Sequence, residues 1–335
     1  MNSYERYQAV LAGQTPDFLP RLPILMAFAA RFIGSNYAAF ASDYRALVEA
    51  NLTCAAHFDF DQVSVISDPY RETQGFGAEI EYLPDSVPRC VKPPLEDDRD
   101  FTRLPVPDPL RSERMRDRVR AVEEYQKRCW RQYSILGWVE GPAAEAADLR
   151  GVTRFLLDLL EDPDYAGRLM DHCVDVGIAF AAAQVQAGAD TIGIGDAIAS
   201  QVSAETYETL IFPRELRLVA GLKKRGCRVR LHICGNTSHL LPYFPHLQAD
   251  IIDLDWQVSM GEARRRLGAE TSLCGNLDPV HAVAGSTPER IQAALAGIYH
   301  AIGNRYLVGA GCEIPVDTPE ANLKALCRPL AWMAG

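Results

Sequence analysis

Short apolar runs alternate with longer amphipathic stretches along almost the whole chain. Eight runs have strand length and strand composition: Leu22–Phe28, Gln62–Ser67, Tyr133–Val139, Thr191–Gly195, Arg228–Cys234, Ile251–Leu254, Thr271–Cys274 and Tyr306–Ala310. Helical periodicity fills the spaces between them. Tyr44–Phe58 places Leu47, Ala50, Cys54 and Phe58 near i, i+3/i+4 spacing. Pro163–Ala187 and Ala204–Lys224 are long amphipathic segments, the second with Ser203 placed to cap it. Ser259–Leu267 and Thr287–Ile302 complete the set, and Thr287-Pro288 is a favourable helix start.

Strand and helix in alternation predict parallel pairing and an α/β architecture. Eight strands fit a (β/α)8 TIM barrel, taken as a single domain over residues 1–335. An open doubly wound sheet is the competing arrangement. It lacks phosphate-loop support here, because no Gly-x-Gly-x-x-Gly follows an early strand and no Gly-x4-Gly-Lys-Ser/Thr occurs. Residues 79–109 are rich in proline and charge, and are expected to form an insertion after the second strand, as a short hairpin and loop.

Composition narrows the class. The chain has 335 residues, 48% hydrophobic and 23% charged, an ordinary globular balance. Its net charge of −10 argues against nucleic acid or an anionic membrane as partner. No apolar run reaches the ~18–20 residues of a membrane span, and Met1–Arg6 lacks the basic-then-apolar start of a signal peptide. The expected location is cytoplasmic. In that reducing setting nine cysteines, an odd number, do not suggest a disulfide framework.

Some of these cysteines sit where chemistry is done. His232 and Cys234 end a predicted strand two residues apart, so their side chains share a face. Cys312, in Gly311-Cys312-Glu313-Ile314-Pro315, follows the last predicted strand. One imidazole and two thiolates with an open position is the ligand pattern of catalytic zinc, and soft sulfur donors favour that ion. Cys274 also ends a strand, and spacing alone leaves it a rival to Cys312. The remaining cysteines, and His57, His172, His239, His246, His281 and His300, have no partner at ligand spacing. Arg264-Arg265-Arg266 reads as a solvated helix face.

The motifs carry a resemblance. Ser67-Asp68, Val202–Tyr207, Asp253-Leu254-Asp255-Trp256, Glu262–Gly268 and Gly275-Asn276-Leu277-Asp278-Pro279 together resemble the uroporphyrinogen decarboxylase superfamily over essentially the whole chain. The decarboxylase branch carries an Arg-Gln-Ala-Gly-Arg motif, where this chain has Phe28-Ala29-Ala30-Arg31-Phe32, and a Gly-His-Gly where it has Gly311-Cys312-Glu313. The cobamide-dependent methyltransferase branch carries His-x-Cys-Gly-Asn and Gly-Cys-Glu-Ile/Leu-Pro, and both are present as His232–Asn236 and Gly311–Pro315. That branch implies zinc on His232, Cys234 and Cys312. It also implies methyl transfer between a corrinoid (methylcobalamin or a methylcobamide) and a small thiol acceptor or methylated donor. No corrinoid-binding Asp-x-His-x-x-Gly motif occurs, so the corrinoid is expected on a partner corrinoid protein or free.

Other residues at predicted strand ends complete the expectation. Asp68 and Asp196 are candidate catalytic carboxylates, Asp68 matching the aspartate that decarboxylases use on pyrrole nitrogens. Asn236, Asp255 and Asn276 are candidates for fixing His232 and shaping the cofactor site, and Glu140 is expected at the mouth. Two other functions compete: a metal-independent decarboxylase-like lyase using Asp68, and a non-catalytic zinc-binding scaffold.

Overall fold

The computed structural model describes residues 1–330; the last five residues of the expected 1–335 domain lie outside the described residues. Its strands, in chain order, are β1 (Gln62–Ser64), β2 (Glu79–Glu81), β3 (Arg89–Lys92), β4 (Ser134–Glu140), β5 (Thr191–Gly195), β6 (Arg228–His232), β7 (Ile251–Leu254), β8 (Ser272–Leu277) and β9 (Tyr306–Ala310). Seven of them form one curled parallel sheet in the order β1-β4-β5-β6-β7-β8-β9. Within that sheet each strand pairs with the next along the chain, as helical crossovers require. β2 and β3 pair separately as an antiparallel hairpin, inside the stretch read as a hairpin and loop.

The first expected strand, Leu22–Phe28, does not form as a strand. Its beginning is extended and makes one parallel bridge, Arg21 to Val308. There the Leu22 N–H donates to the Val308 carbonyl at 2.8 Å, and the Val308 N–H to the Pro20 carbonyl at 2.8 Å. On its other side the Asp61 N–H donates to the Arg21 carbonyl at 2.8 Å. One short segment thus bonds to β9 and to the residue preceding β1. Pro20 and Pro23 explain its brevity, because neither has an N–H to extend a ladder. Phe28 lies instead in a helix, Ala27–Phe32.

Most expected helices appear at their predicted bounds, including Tyr44–Phe58 and Pro163–Ala187. Thr287 caps Pro288–Ile302 by accepting from the Arg290 N–H. The expected Ala204–Lys224 helix is interrupted. A wide π turn occupies Tyr207–Ile211 before the α-helix Phe212–Lys223 begins. Pro213 is the physical reason, since it cannot donate back to the preceding turn. The arginine run also needs correcting. Arg265 and Arg266 pair with Glu262 on the surface, but Arg264 folds back onto the carbonyls of Gly268, Thr271 and Ile302. Among the described residues no helix is long and apolar enough to cross a membrane.

Asp61 anchors the junction between β9 and β1. It is fully buried and accepts from Arg21 Nε at 2.7 Å, the Arg21 N–H at 2.7 Å and Arg6 Nη1 at 2.5 Å. Arg21 also donates to the Cys327 carbonyl at 3.0 Å, tying in the C-terminal helix. Removing this carboxylate leaves two buried guanidinium groups short of a counter-charge. Asp61→Ala is therefore expected to cost about 3–5 kcal/mol of stability, measured by urea denaturation.

Candidate metal centre and its pocket

Parallel strands present their C-terminal ends at one mouth, and the chain places its sulfur and imidazole groups there. His232 is the last residue of β6, Cys234 lies two beyond it, and Cys312 lies two beyond the end of β9. Their ligand atoms all lie within 4.8 Å of one another. His232 Nε2 is 3.0 Å from Cys234 Sγ and 3.9 Å from Cys312 Sγ, and the two sulfurs are 3.4 Å apart.

Register explains how the imidazole is aimed. β6 pairs with β7 so that His232 is directly opposite Asp253. The other imidazole nitrogen, Nδ1, lies 2.8 Å from Asp253 Oδ2, which leaves Nε2 for the sulfur cluster. Asp253 is held in turn by Arg230 Nε at 2.8 and 2.9 Å. Arg230 and His232 are two apart on one strand and so share its inner face.

Electrostatics follows from these contacts. Burial works against a charged His232, yet the cysteine sulfurs and Asp253 together push its pKa well above the usual histidine range. The Cys312 thiol drops to about 4, chiefly through its hydrogen bond with Cys234 and then through His232. Cys234 moves the opposite way, first through that same bond and then through burial.

Cys274 stands apart from this group. It is buried lower in the sheet, 3.6 Å from Arg230 Nη2, where burial raises its thiol to about 12. Of the two rivals left open by spacing, Cys312 is the one that joins His232 and Cys234.

The three groups open onto a pocket of about 220 Å³. Met26, Ile66, Pro69, Val87 and Trp138 form its apolar wall. The Trp138 ring sits 5.8 Å from the His232 ring, edge-on at 60°. Glycines make room for the indole: a Cβ at Gly193 would meet it at 2.3 Å, and one at Gly195 at 2.9 Å.

Other expected residues fall in different places. Asp68 lines the pocket, but its Oδ2 accepts from Ser67 and Arg114 and its Oδ1 from the Tyr70 N–H. Glu140 also lines it, bonded to Arg71 and to Trp138 Nε1. Burial, offset in part by Arg71, raises Glu140 to about 8. Asp196 does not line the pocket. It is fully buried and accepts from the Ala144 N–H at 2.7 Å and the Ala143 N–H at 3.3 Å, bonding the start of the helix Pro142–Arg150.

Asn236, Asp255 and Asn276 do not touch His232 through any hydrogen bond found; they brace loops. Asp255 accepts from the Gly235 and Gln257 N–H groups. Asn276 donates to the Asp255 and Val258 carbonyls, and Asn236 accepts from the Ser238 N–H. The residue that orients His232 is Asp253, which sequence reasoning passed over. Its signal was available: an aspartate inside an otherwise apolar strand, Ile251-Ile252-Asp253-Leu254, asks for a buried partner.

With fold and site described, the chain can be compared with known proteins. Residues 2–330 match the family model described as Uroporphyrinogen decarboxylase (URO-D). The chain belongs to this family. Within it, Methylcobamide:CoM methyltransferase MtbA of Methanosarcina mazei is 32% identical over 211 residues, covering 62% of this chain and 61% of that protein. The chain therefore spans about three fifths of the length of that methyltransferase. Uroporphyrinogen decarboxylase of Dechloromonas aromatica is 27% identical over 293 residues, covering 83% of this chain and 80% of that protein. Among solved structures, a "methyltransferase from Methanosarcina mazei" superposes with a TM-score of 0.89 over 97% of both chains at 22% identity, which shows the shared fold.

Two outcomes follow from the contacts of Asp253 and Asp196. Asp253→Asn weakens the hold on Nδ1 and is expected to lower the affinity of the three-residue centre for an added divalent metal about 10–100-fold, measured by chelator competition. Asp196 is raised to about 7, mainly by burial. Its neutral form therefore favours the fold below the unfolded value of ~3.9, and that contribution is lost as pH rises through about 7. Asp196→Asn should flatten part of the fall in stability between roughly pH 4 and 8, read from denaturation midpoints across pH.

Proposed function

We propose that this chain is a zinc-dependent methyltransferase. It moves a methyl group between a corrinoid, free or carried by a partner corrinoid protein, and a small thiol or methylated donor. The observation that carries this reading is the convergence of His232, Cys234 and Cys312 at the mouth of a largely apolar pocket. The same reading takes residues 1–335 as one (β/α)8 barrel domain with an insertion after its second strand, acting in the cytoplasm.

The donor set fits the ion. Zinc–sulfur bonds of ~2.3 Å and zinc–nitrogen bonds of ~2.0–2.1 Å in a tetrahedron place ligand atoms roughly 3.4–3.8 Å apart. The separations here are 3.0, 3.4 and 3.9 Å. His232 would bind through Nε2, and the two cysteines as thiolates. Three protein ligands would leave the ion able to take one further ligand, as catalytic sites do, and all three residues line the pocket. When bound, zinc supplies the Lewis acidity that keeps a coordinated thiol deprotonated at neutral pH.

The chain's own groups do the rest. Asp253 fixes the imidazole tautomer and plane. Trp138, Ile66 and Met26 exclude water from the reacting atoms, and the pocket brings substrate and methyl group into line. In the thiol-methylating direction the substrate sulfur gives up its proton and forms the new S–CH3 bond. The cobalt–carbon bond breaks with its electron pair left on cobalt. Demethylation of a donor runs the same exchange in reverse.

The lyase alternative is less well served. It asks Asp68 to hold a substrate, while both Asp68 oxygens are engaged by Ser67, Arg114 and the Tyr70 N–H. It also asks for arginines beside Phe28–Phe32, where Arg31 is exposed and paired with Asp317.

Metal analysis should find about one zinc per chain, lost in Cys234→Ala and Cys312→Ala. Zinc-loaded protein mixed anaerobically with methylcobalamin and a panel of thiols should consume the methyl-corrinoid absorbance, and both variants should lose that activity. A metal-free preparation with full activity would overturn the reading, and uroporphyrinogen turnover would replace it with the lyase.

A further inference from the structure

We infer that the pocket takes an uncharged substrate with a small apolar body and discriminates against an anionic one, such as a sulfonate- or carboxylate-bearing thiol. The inference rests on the methyl-transfer reading of the site. Three sets of observations carry it.

The wall offers an anion no partner. Among the described residues lining the pocket there is no lysine or arginine. The cations behind the wall are committed: Arg114 bonds to Asp68 and Arg71 to Glu140, with side chains only 4% and 0% exposed. Arg31 lies on the neighbouring surface, paired with Asp317. Two backbone donors near the centre are also taken, the Gly235 N–H by Asp255 and the Tyr70 N–H by Asp68. A sulfonate would enter without the charge-assisted hydrogen bonds that normally hold one, and an unpaired buried charge is strongly disfavoured.

The ionisable groups that do line the wall, apart from the metal-binding trio, are carboxyl groups and bring no positive charge. They are Asp68 and Glu140. Against the upward push of its burial, Arg114 and Arg71 hold Asp68 below the ordinary carboxylate range, so it stays ionised and keeps Arg114 engaged.

Size and surface define what does fit. Met26, Ile66, Pro69, Val87 and Trp138 present carbon, sulfur and an indole face. An apolar cavity of ~150 Å³ is enough for benzene. The pocket, at about 220 Å³, therefore holds one ring with a short arm, or a short alkyl chain. It is smaller than the ~300 Å³ at which ordinary ligand pockets begin. The substrate class is accordingly an aryl-alkyl or short alkyl thiol, or the corresponding methyl thioether or ether.

Zinc-loaded protein is titrated with benzyl methyl sulfide and with 2-(methylthio)ethanesulfonate, following tryptophan fluorescence. Trp138→Phe serves as the control that removes the reporter in the pocket wall. The uncharged thioether should bind at least tenfold more tightly. With methylcobalamin, phenylmethanethiol should exceed 2-mercaptoethanesulfonate at least tenfold in kcat/KM. Val87 is 43% exposed at the rim, so Val87→Arg adds a cation without opening the core and should bring the two ligands to within threefold. Equal or tighter binding of the sulfonate overturns the inference, as does failure of the uncharged thioether to saturate. Failure of the two readings can be told apart. A zinc-containing enzyme that prefers the sulfonate thiol defeats this inference and leaves the methyltransferase standing. A zinc-free chain that consumes no methylcobalamin but binds benzyl methyl sulfide does the reverse.

Discussion

A single buried carboxylate, Asp253, sits where the sheet and the candidate metal centre meet. It is 6% exposed and lies between Arg230 and His232. Those two partners hold its pKa down to about 2 against the cost of burial. Arg230 also donates to Gln62 on β1 at 2.7 Å and approaches Cys274 on β8. One guanidinium thus touches residues of β1, β7 and β8 from its seat on β6. A buried charge survives only when its hydrogen bonds are met on every side, so this network fixes the relative positions of four strands. The orientation of His232 is a by-product of that same satisfaction.

The parallel register then extends the order outward. Glu140, Gly195, His232 and Asp253 are matched across β4, β5, β6 and β7. The row reads carboxyl, gap, imidazole, carboxylate. The gap is where Trp138 lies, over Gly193 and Gly195, reaching from Glu140 to the His232 ring. A side chain at either glycine would evict the indole and break this wall. Small residues in β5 are therefore a packing requirement of the site on β6, although they bear no chemistry themselves.

This coupling explains what the sequence disclosed and what it withheld. Helices such as Tyr44–Phe58 and Pro163–Ala187 were legible because periodicity and capping are local. So was the parallel sheet, because alternation of strand and helix permits little else. The strand at Leu22–Phe28 misled because its apolar content is strand-like while Pro20 and Pro23 remove its donors. Cys234 and Cys312 were legible because the motifs around them are compact. The choice between Cys312 and Cys274 was not settled by spacing. Local pattern puts both at strand ends, and the difference is depth: Cys274 lies within β8 beside Arg230, whereas Cys312 lies beyond the end of β9. Depth depends on where a strand ends, which local patterns set least firmly. Asp253 was missed for a related reason, since its partners Arg230 and His232 become neighbours only through β6–β7 register.

The pocket shows how one scaffold can separate metal binding from substrate choice. The candidate metal-binding atoms come from residues at or just beyond the ends of β6 and β9, and Asp253 and Arg230 brace them from inside the sheet. The wall comes largely from elsewhere: Met26 before the first short helix, Ile66 to Pro69 after β1, and Val87 in the β2–β3 hairpin. None of these wall residues hydrogen-bonds to Asp253 or Arg230. Their charge and size can therefore vary without disturbing the network that aims His232. A relative that acts on coenzyme M can share the fold and still meet its substrate through different groups. In this chain the arginines nearest the pocket are spent on its own carboxylates. On the proposed reading, apolar contact and not ion pairing is the wall's principal means of holding a substrate.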